Sequence, residues 1–191
     1  MRPAKISEAE LFGRVADTFR RKGYDGTSYS DLMKATGLVK ASLYHRFPGG
    51  KEEMVNAILS DVDRHFAEHV LAPAFEDGDP LARSRVIAQR LQEFYASGKR
   101  WCLLDTLSLT ESNATVKHAR KSMEFWIKSF VRIGRDAGLR AELARKRAEE
   151  AVAAIEGGLV VARVLNNRRP FLQALAGLPS KLTESSEERV S

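Results

Sequence analysis

The sequence predicts an all-α protein, and three features predict it. Glycine and proline divide the chain into stretches where apolar residues recur three and four places apart, runs that alternate every second residue are almost absent, and serine-led caps open two of the stretches. An N-terminal three-helix unit with a helix-turn-helix is expected, followed by a larger C-terminal helical unit.

Ser7, with Glu10 three places on, marks a first helix starting near Glu8, and Ile6 and Leu11 sit where a hydrophobic staple fixes its entry. Leu11, Phe12, Val15, Ala16 and Phe19 share one face, and Gly23 stops it. Ser28 and Asp31 repeat the cap and open a short helix through Ala35; Gly37 then permits a sharp turn into a third, Lys40 to Phe47. After Pro48, Gly49 and Gly50, Lys51 begins a longer helix with Met54, Val55, Ile58, Leu59, Val62 and Phe66 inward. Asp79 and Pro80 suit the start of the next, which is expected to reach about Ser97. A short helix around Leu103 to Glu111, a long one from about Ala114 to Ala137, an Ala-rich one from Glu142 to Asn166 and a turn or two between Phe171 and Leu178 complete the series. The expected division is residues 1–51 for the helix-turn-helix domain, 51–72 for a connecting helix, 73–178 for the second domain and 179–191 for a frayed polar tail.

The charge is uneven. The 191 residues carry a net charge of +6, and residues 1–51 hold ten basic side chains against five acidic ones, so the remainder is nearly neutral. A polyanion docking at the N-terminal end fits this, as does a solvated basic face. One cysteine, Cys102, excludes an intrachain disulfide framework, and a buried inert thiol is the expectation for it. No stretch resembles a secretory leader or is long enough to cross a bilayer, so a cytoplasmic protein without a membrane partner is expected. His65 and His69 lie four apart without an evident third ligand, and no phosphate loop, nucleophile elbow or carboxylate pair appears. Neither an enzyme nor a cofactor or metal is expected.

A recognition helix must enter a groove about 12 Å wide, so its exposed N-terminal residues need to be small or hydrogen-bonding. Val39, Lys40, Ala41 and Ser42 meet that need, Leu43 and Phe47 are placed to pack behind, and Lys40, Ala41, Tyr44 and His45 are left outward. Lys51, at the start of the following helix, suits a phosphate.

The ungapped series Phe19, Gly23, Tyr24, Thr27, Ser28, Asp31, Leu32, Ala35, Gly37, Leu38, Ser42, Leu43, Tyr44, Phe47, with Lys51 and Glu52 after it, resembles the DNA-binding domain of TetR/AcrR-type transcriptional repressors. The PGGKEE continuation is similar to the LmrA/YxaF-like subgroup, and the resemblance covers about the first third of the chain. It implies that Thr27, Tyr44 and Lys51 hold phosphates while Lys40, Ala41 and His45 approach base edges. Thr27 and Ser28 also fit as caps of the second helix. Arg46 stands where the family often has His or Tyr, which puts Arg46 forward for a phosphate as well.

The resemblance further implies a homodimer on a palindromic double-stranded DNA operator, with the last two long helices as the interface. One module contacts only about 600–1,000 Å², so two copies are needed for operator-level specificity. Ala151, Ile155, Gly158, Leu159 and Ala162 are the expected interface residues, although packing within the chain also explains a stripe of small residues. A small lipophilic effector is implied too, with Phe94, Tyr95, Trp101, Leu104, Phe125, Trp126 and Phe130 as pocket residues; an ordinary aromatic core gives the same spacing. A helical interaction protein with a basic face, or a DNA-binding regulator without a ligand, are the alternatives.

Overall fold

A computed structural model describes residues 6–107 and 113–184, and among these no residue lies in a strand. The described helices are α1 (Glu8–Lys22), α2 (Tyr29–Thr36), α3 (Lys40–Arg46), α4 (Gly50–Phe66), α5 (Pro80–Phe94), α6 (Leu103–Leu107), α7 (Asn113–Asp136), α8 (Ala141–Leu165), α9 (Arg169–Ala176) and α10 (Leu178–Thr183). They divide into two compact units: residues 1–64 with 103–121, and residues 65–102 with 122–191.

In the first unit the caps explain where the helices begin. The Glu10 amide donates to Ser7 Oγ at 3.2 Å, and Gly23, at φ 69°, ends α1 with its amide on the Phe19 carbonyl. At α2, the Asp31 amide donates to Ser28 Oγ at 3.2 Å while Asp31 Oδ2 accepts from the Ser28 amide at 3.0 Å, a reciprocal box. Gly37 takes φ 72° and turns the chain into α3. Leu11, Val15 and Phe19 of α1 then close on Leu32, Leu43, Phe47, Met54, Val55, Ile58 and Leu59 as one core.

That box carries a pH dependence. The Lys22 ammonium, and after it the Ser28 hydroxyl and amide, hold the Asp31 carboxyl far below the usual carboxylate range. A depressed pKa contributes stability above the unfolded value of 3.8, and that contribution is lost as the pH falls toward the folded value. Ser28→Ala is expected to cost about 1 kcal/mol at pH 7. Asp31→Asn should be less stable than wild type at pH 7, with the gap narrowing below about pH 4; urea titrations across that range give both results.

Two parts of the domain division need correcting. The helix expected around Leu103 to Glu111 is observed as α6 over Leu103–Leu107, its further residues lying outside those described. Leu103 and Leu107, 3% and 1% exposed, enter the core of the first unit, so this unit is not confined to the N-terminal stretch. The first residues of the expected frayed tail, 179–183, lie in α10 (Leu178–Thr183), because Leu178 and Leu182 find buried sites in the second unit. Residues 185–191 of that tail lie outside those described.

In the second unit, α5 begins on Asp79, whose carboxylate accepts the Ala82 amide at 2.9 Å. It ends at Phe94 rather than at Ser97, because Ala96, Ser97 and Gly98 take positive φ and fold the chain back until the Arg100 amide meets the Tyr95 carbonyl. Arg83, 7% exposed, donates to the carbonyls of Glu76 and Ala74 and, at 2.7 Å, to the Asp136 carboxylate of α7.

The stripe on α8 has a different partner from the one expected. Ala151, Ile155, Gly158, Leu159 and Ala162 are buried within the single chain, where α8 packs against α9. The reason is the small size of Gly158: a Cβ there would lie 2.9 Å from the Phe171 Cα and 3.1 Å from its nitrogen. Gly158 admits α9 to close range, and all five residues are already buried within the single chain. The outward residues of α8 include Val161, Val164 and Leu165, which are 40%, 72% and 63% exposed.

Candidate nucleic-acid interface

α3 is seven residues long, too short to persist alone, so its position depends on what it buries. Leu43 is fully buried and Phe47 5% exposed, with the Phe47 ring 6.2 Å from Phe12 of α1. With those two inward, helical geometry turns Lys40, Ala41, Tyr44, His45 and Arg46 to the solvent, and Val39 before them is 61% exposed. Ser42 is half-buried.

The electrostatics favour an anion at this face. Glu10, Asp17 and Asp31 are engaged by Arg14, Arg20 and Lys22, whereas Lys34, Lys40 and Arg46 have no ion pair among the described residues. Positive charge is thereby left on α2 and α3.

The residues expected to hold phosphates are placed differently from one another. Tyr44 is 41% exposed on α3. Thr27 is buried, with its hydroxyl donating to the Gly23 carbonyl at 2.6 Å, and Ser28 serves the cap of α2, so both are occupied with local structure. Lys51 is half-buried, and its ammonium donates to the carbonyls of Tyr24 and Thr27 at 3.0 and 2.9 Å while lying 4.7 Å from the centre of the Tyr24 ring. It clasps the turn between α1 and α2 instead of standing free at the start of α4.

Sequence reasoning missed Tyr29. It is the first residue of α2, and its ring stacks on that of Tyr44 with centroids 5.0 Å apart. The Lys40 ammonium lies 5.3 Å from the Tyr29 centroid and 5.8 Å from that of Tyr44. Burial, and next hydrogen bonding with Tyr44, pushes the Tyr29 phenol up to about 12. The two tyrosines lie fifteen positions apart in different helices, a spacing that gives no periodic signal.

Of the aromatic residues expected to share a pocket, Phe94, Tyr95, Trp126 and Phe130 come together. Phe66 meets Phe94 and Trp126 edge-on at 5.0 and 5.2 Å, Phe94 meets Tyr95 at 5.0 Å, and Trp126 meets Phe130 at 6.0 Å. Trp126 is 1% exposed, and its indole N–H has no acceptor among the described residues. The others separate. Leu104 packs against the core of the first unit, Phe125 is 41% exposed and stacks on Phe75, and Trp101 lies beneath the Arg163 guanidinium at 5.2 Å. Cys102 is buried beside the Tyr95 hydroxyl at 3.7 Å, and the His65 and His69 rings stack at 4.3 Å.

α2 and α3, the second anchored by Leu43 and Phe47 and basic on its outer side, form a helix-turn-helix of the kind that docks on DNA. Residues 16–58 match the family model described as bacterial regulatory proteins, tetR family. The HTH-type transcriptional regulator LmrA of Bacillus subtilis is 22% identical over 181 residues, which cover 92% of this chain and 96% of that protein. A TetR transcriptional regulator from Legionella pneumophila shares the fold at a TM-score of 0.82 and 19% identity, covering 96% of this chain and 100% of the other. The TetR family regulator CifR, solved as a cysteine mutant with 26-bp operator DNA, superposes at a TM-score of 0.73 and 22% identity over 93% of this chain and 98% of its own. Residues 16–58 thus match the DNA-binding segment of that family, and over most of its length the chain is similar to transcriptional regulators.

Proposed function

We propose that this chain is a tetR-family transcriptional regulator, a cytoplasmic repressor that binds a palindromic operator as a homodimer and releases it when a small lipophilic effector enters the second unit. The outer side of α3 is the observation that carries the reading: Lys40, Ala41, Tyr44, His45 and Arg46 stand outward together on a helix whose opposite side is buried. Lys40, Ala41 and His45 read base edges, and Tyr44 and Arg46 hold phosphates, while Lys51 fixes the turn between α1 and α2 beside them.

Two further observations support the rest. Val161, Val164 and Leu165 give α8 an exposed apolar side suited to a second copy, and two-fold symmetry then sets half-sites one or more turns of duplex apart. The buried indole N–H of Trp126, unpaired in an aromatic setting, is a polar handle for an effector that carries a hydrogen-bond acceptor. Such a compound lowers repression if it binds the DNA-free conformation more tightly than the DNA-bound one. No described helix is long and apolar enough to cross a membrane.

Selection of duplexes from a randomised library by the full chain, followed by titration with salt, tests the DNA reading. Lys40→Ala is expected to relax base preference about tenfold at the positions it reads. Unchanged preference and affinity would remove Lys40 from the interface. Adding flavonoids, small phenolics and lipophilic cations to the bound complex tests release: compounds that raise the melting temperature of the free protein should also free the duplex. A panel that does neither counts against the effector.

A further inference from the structure

Lys40 carries a flexible four-carbon stem, and a solvated lysine explores many rotamers. Here it does not stand alone. Its ammonium sits 5.3 and 5.8 Å from the centres of two stacked rings, Tyr29 and Tyr44, within the range at which an aromatic face attracts a cation. Tyr44 belongs to α3 itself, but Tyr29 belongs to α2, so the pair ties the cation of one helix to another.

Tyr29 is itself seated from a third direction. A Cβ on Gly50 would lie 3.0 Å from the Tyr29 hydroxyl, so the phenol reaches the first turn of α4 because position 50 has no side chain, and Gly50 takes φ 73° there. One side chain thus reaches the start of α4 through its hydroxyl and meets the aromatic residue of α3 and the lysine beside it through its ring. Like any tyrosine, Tyr29 is neutral at physiological pH, so it presents a ring and not a negative charge that would bind Lys40 as an ion pair.

We propose that Tyr29 is a positioning residue for DNA recognition, whose ring, braced on the first turn of α4, holds Tyr44 and Lys40 in the arrangement that reads the operator. The inference rests on the assignment of Lys40 to base edges. Tyr29 contributes no contact to DNA of its own in this scheme. It restricts where the lysine points before the duplex arrives, which lowers the entropy lost on binding and sharpens discrimination between bases.

The test uses the full chain and the duplex that wild type selects from a randomised library, together with single-base variants of that duplex. Tyr29→Leu and Tyr29→Met, which keep apolar volume but lose the aromatic face, are expected to reduce discrimination about as much as Lys40→Ala, roughly tenfold, at the same base positions. The double variant Tyr29→Leu with Lys40→Ala should discriminate no worse than Lys40→Ala alone, because both changes remove one device. Tyr29→Phe, which retains the ring against Tyr44 and Lys40 but loses the hydroxyl that meets α4, should recover the larger part of the discrimination. A residue that only supports the fold would give the opposite pattern: weaker binding to every sequence, losses that add to those of Lys40→Ala, and no rescue specific to base choice. That pattern overturns the proposal. If Tyr29→Leu does not fold, Tyr29→Met and Tyr29→Phe carry the same comparison. Lys40→Ala leaving base preference intact would instead overturn the assignment of Lys40, whereas an effect of Lys40→Ala without one of Tyr29→Met would overturn the role of Tyr29 alone.

Discussion

Arg83→Ala is expected to destabilise the second unit by about 3 kcal/mol, enough to remove a large share of the stability of an ordinary domain. The guanidinium is 7% exposed and draws together the Glu76 and Ala74 carbonyls before α5 and the Asp136 carboxylate at the end of α7. Removing it leaves these acceptors facing a cavity. The Asp136 side chain is 35% exposed and can recover water, which keeps the effect at the lower end of the range for broken buried pairs. Urea unfolding followed by tryptophan fluorescence measures the loss. Arg83→Met fills much of the stem volume without satisfying the carbonyls, so it should recover only part of it; full recovery would show that packing, not charge, is what Arg83 contributes.

Leu43→Ala should cost about 3 kcal/mol in the first unit and abolish sequence-selective DNA binding together with it. Leu43 is completely buried and is the one fully buried residue of α3, a helix of seven residues with no side-chain cap at its N-terminus. Truncation leaves a void in the core shared with Leu32 and α1, and α3 has little else to hold it in place. Lys40→Ala is the contrasting change, since it leaves this core whole while altering the outer side. Calorimetric melting and duplex binding separate the two: a Leu43→Ala protein that melts as wild type does, or selects the same duplex as tightly, would show that α3 is held by something other than this side chain.

The N-terminal part was legible because it is built from neighbours. Ser7, Ser28 and Gly37 act within a few residues of themselves, so the ends of α1 and α2 follow from local chemistry. Leu43 and Phe47 meet α1 and α2 a short loop away, and their inward placement follows from helical spacing. Periodicity fails where the partner is distant. It marks Leu103 and Leu107 as core residues without saying whose core they enter.

The stripe of small residues on α8 shows the same limit. Such a stripe signals that some helix comes near, and nothing in the spacing distinguishes a second copy from α9 a few residues downstream. Gly158 decides it through the Phe171 backbone, a contact created only when the chain reverses after Asn166. Phe125 and Trp126 are adjacent in sequence and therefore diverge on α7, one exposed and one buried. Grouping them by aromatic character alone placed both in one pocket. Tyr29 was illegible for a related reason, since its importance comes from a ring on α3 and a glycine on α4 that no local pattern joins to it.

The backbone crosses between its two compact units three times, at residues 64/65, 102/103 and 121/122, and two of these crossings fall inside the unbroken helices α4 and α7. A reading head made of a single leading segment can be swapped between proteins with one cut. This one cannot: a fragment ending near residue 72 would leave behind the leucines of α6, so transplanting its specificity onto a foreign sensor means moving two separate tracts of sequence and splicing both rods in register.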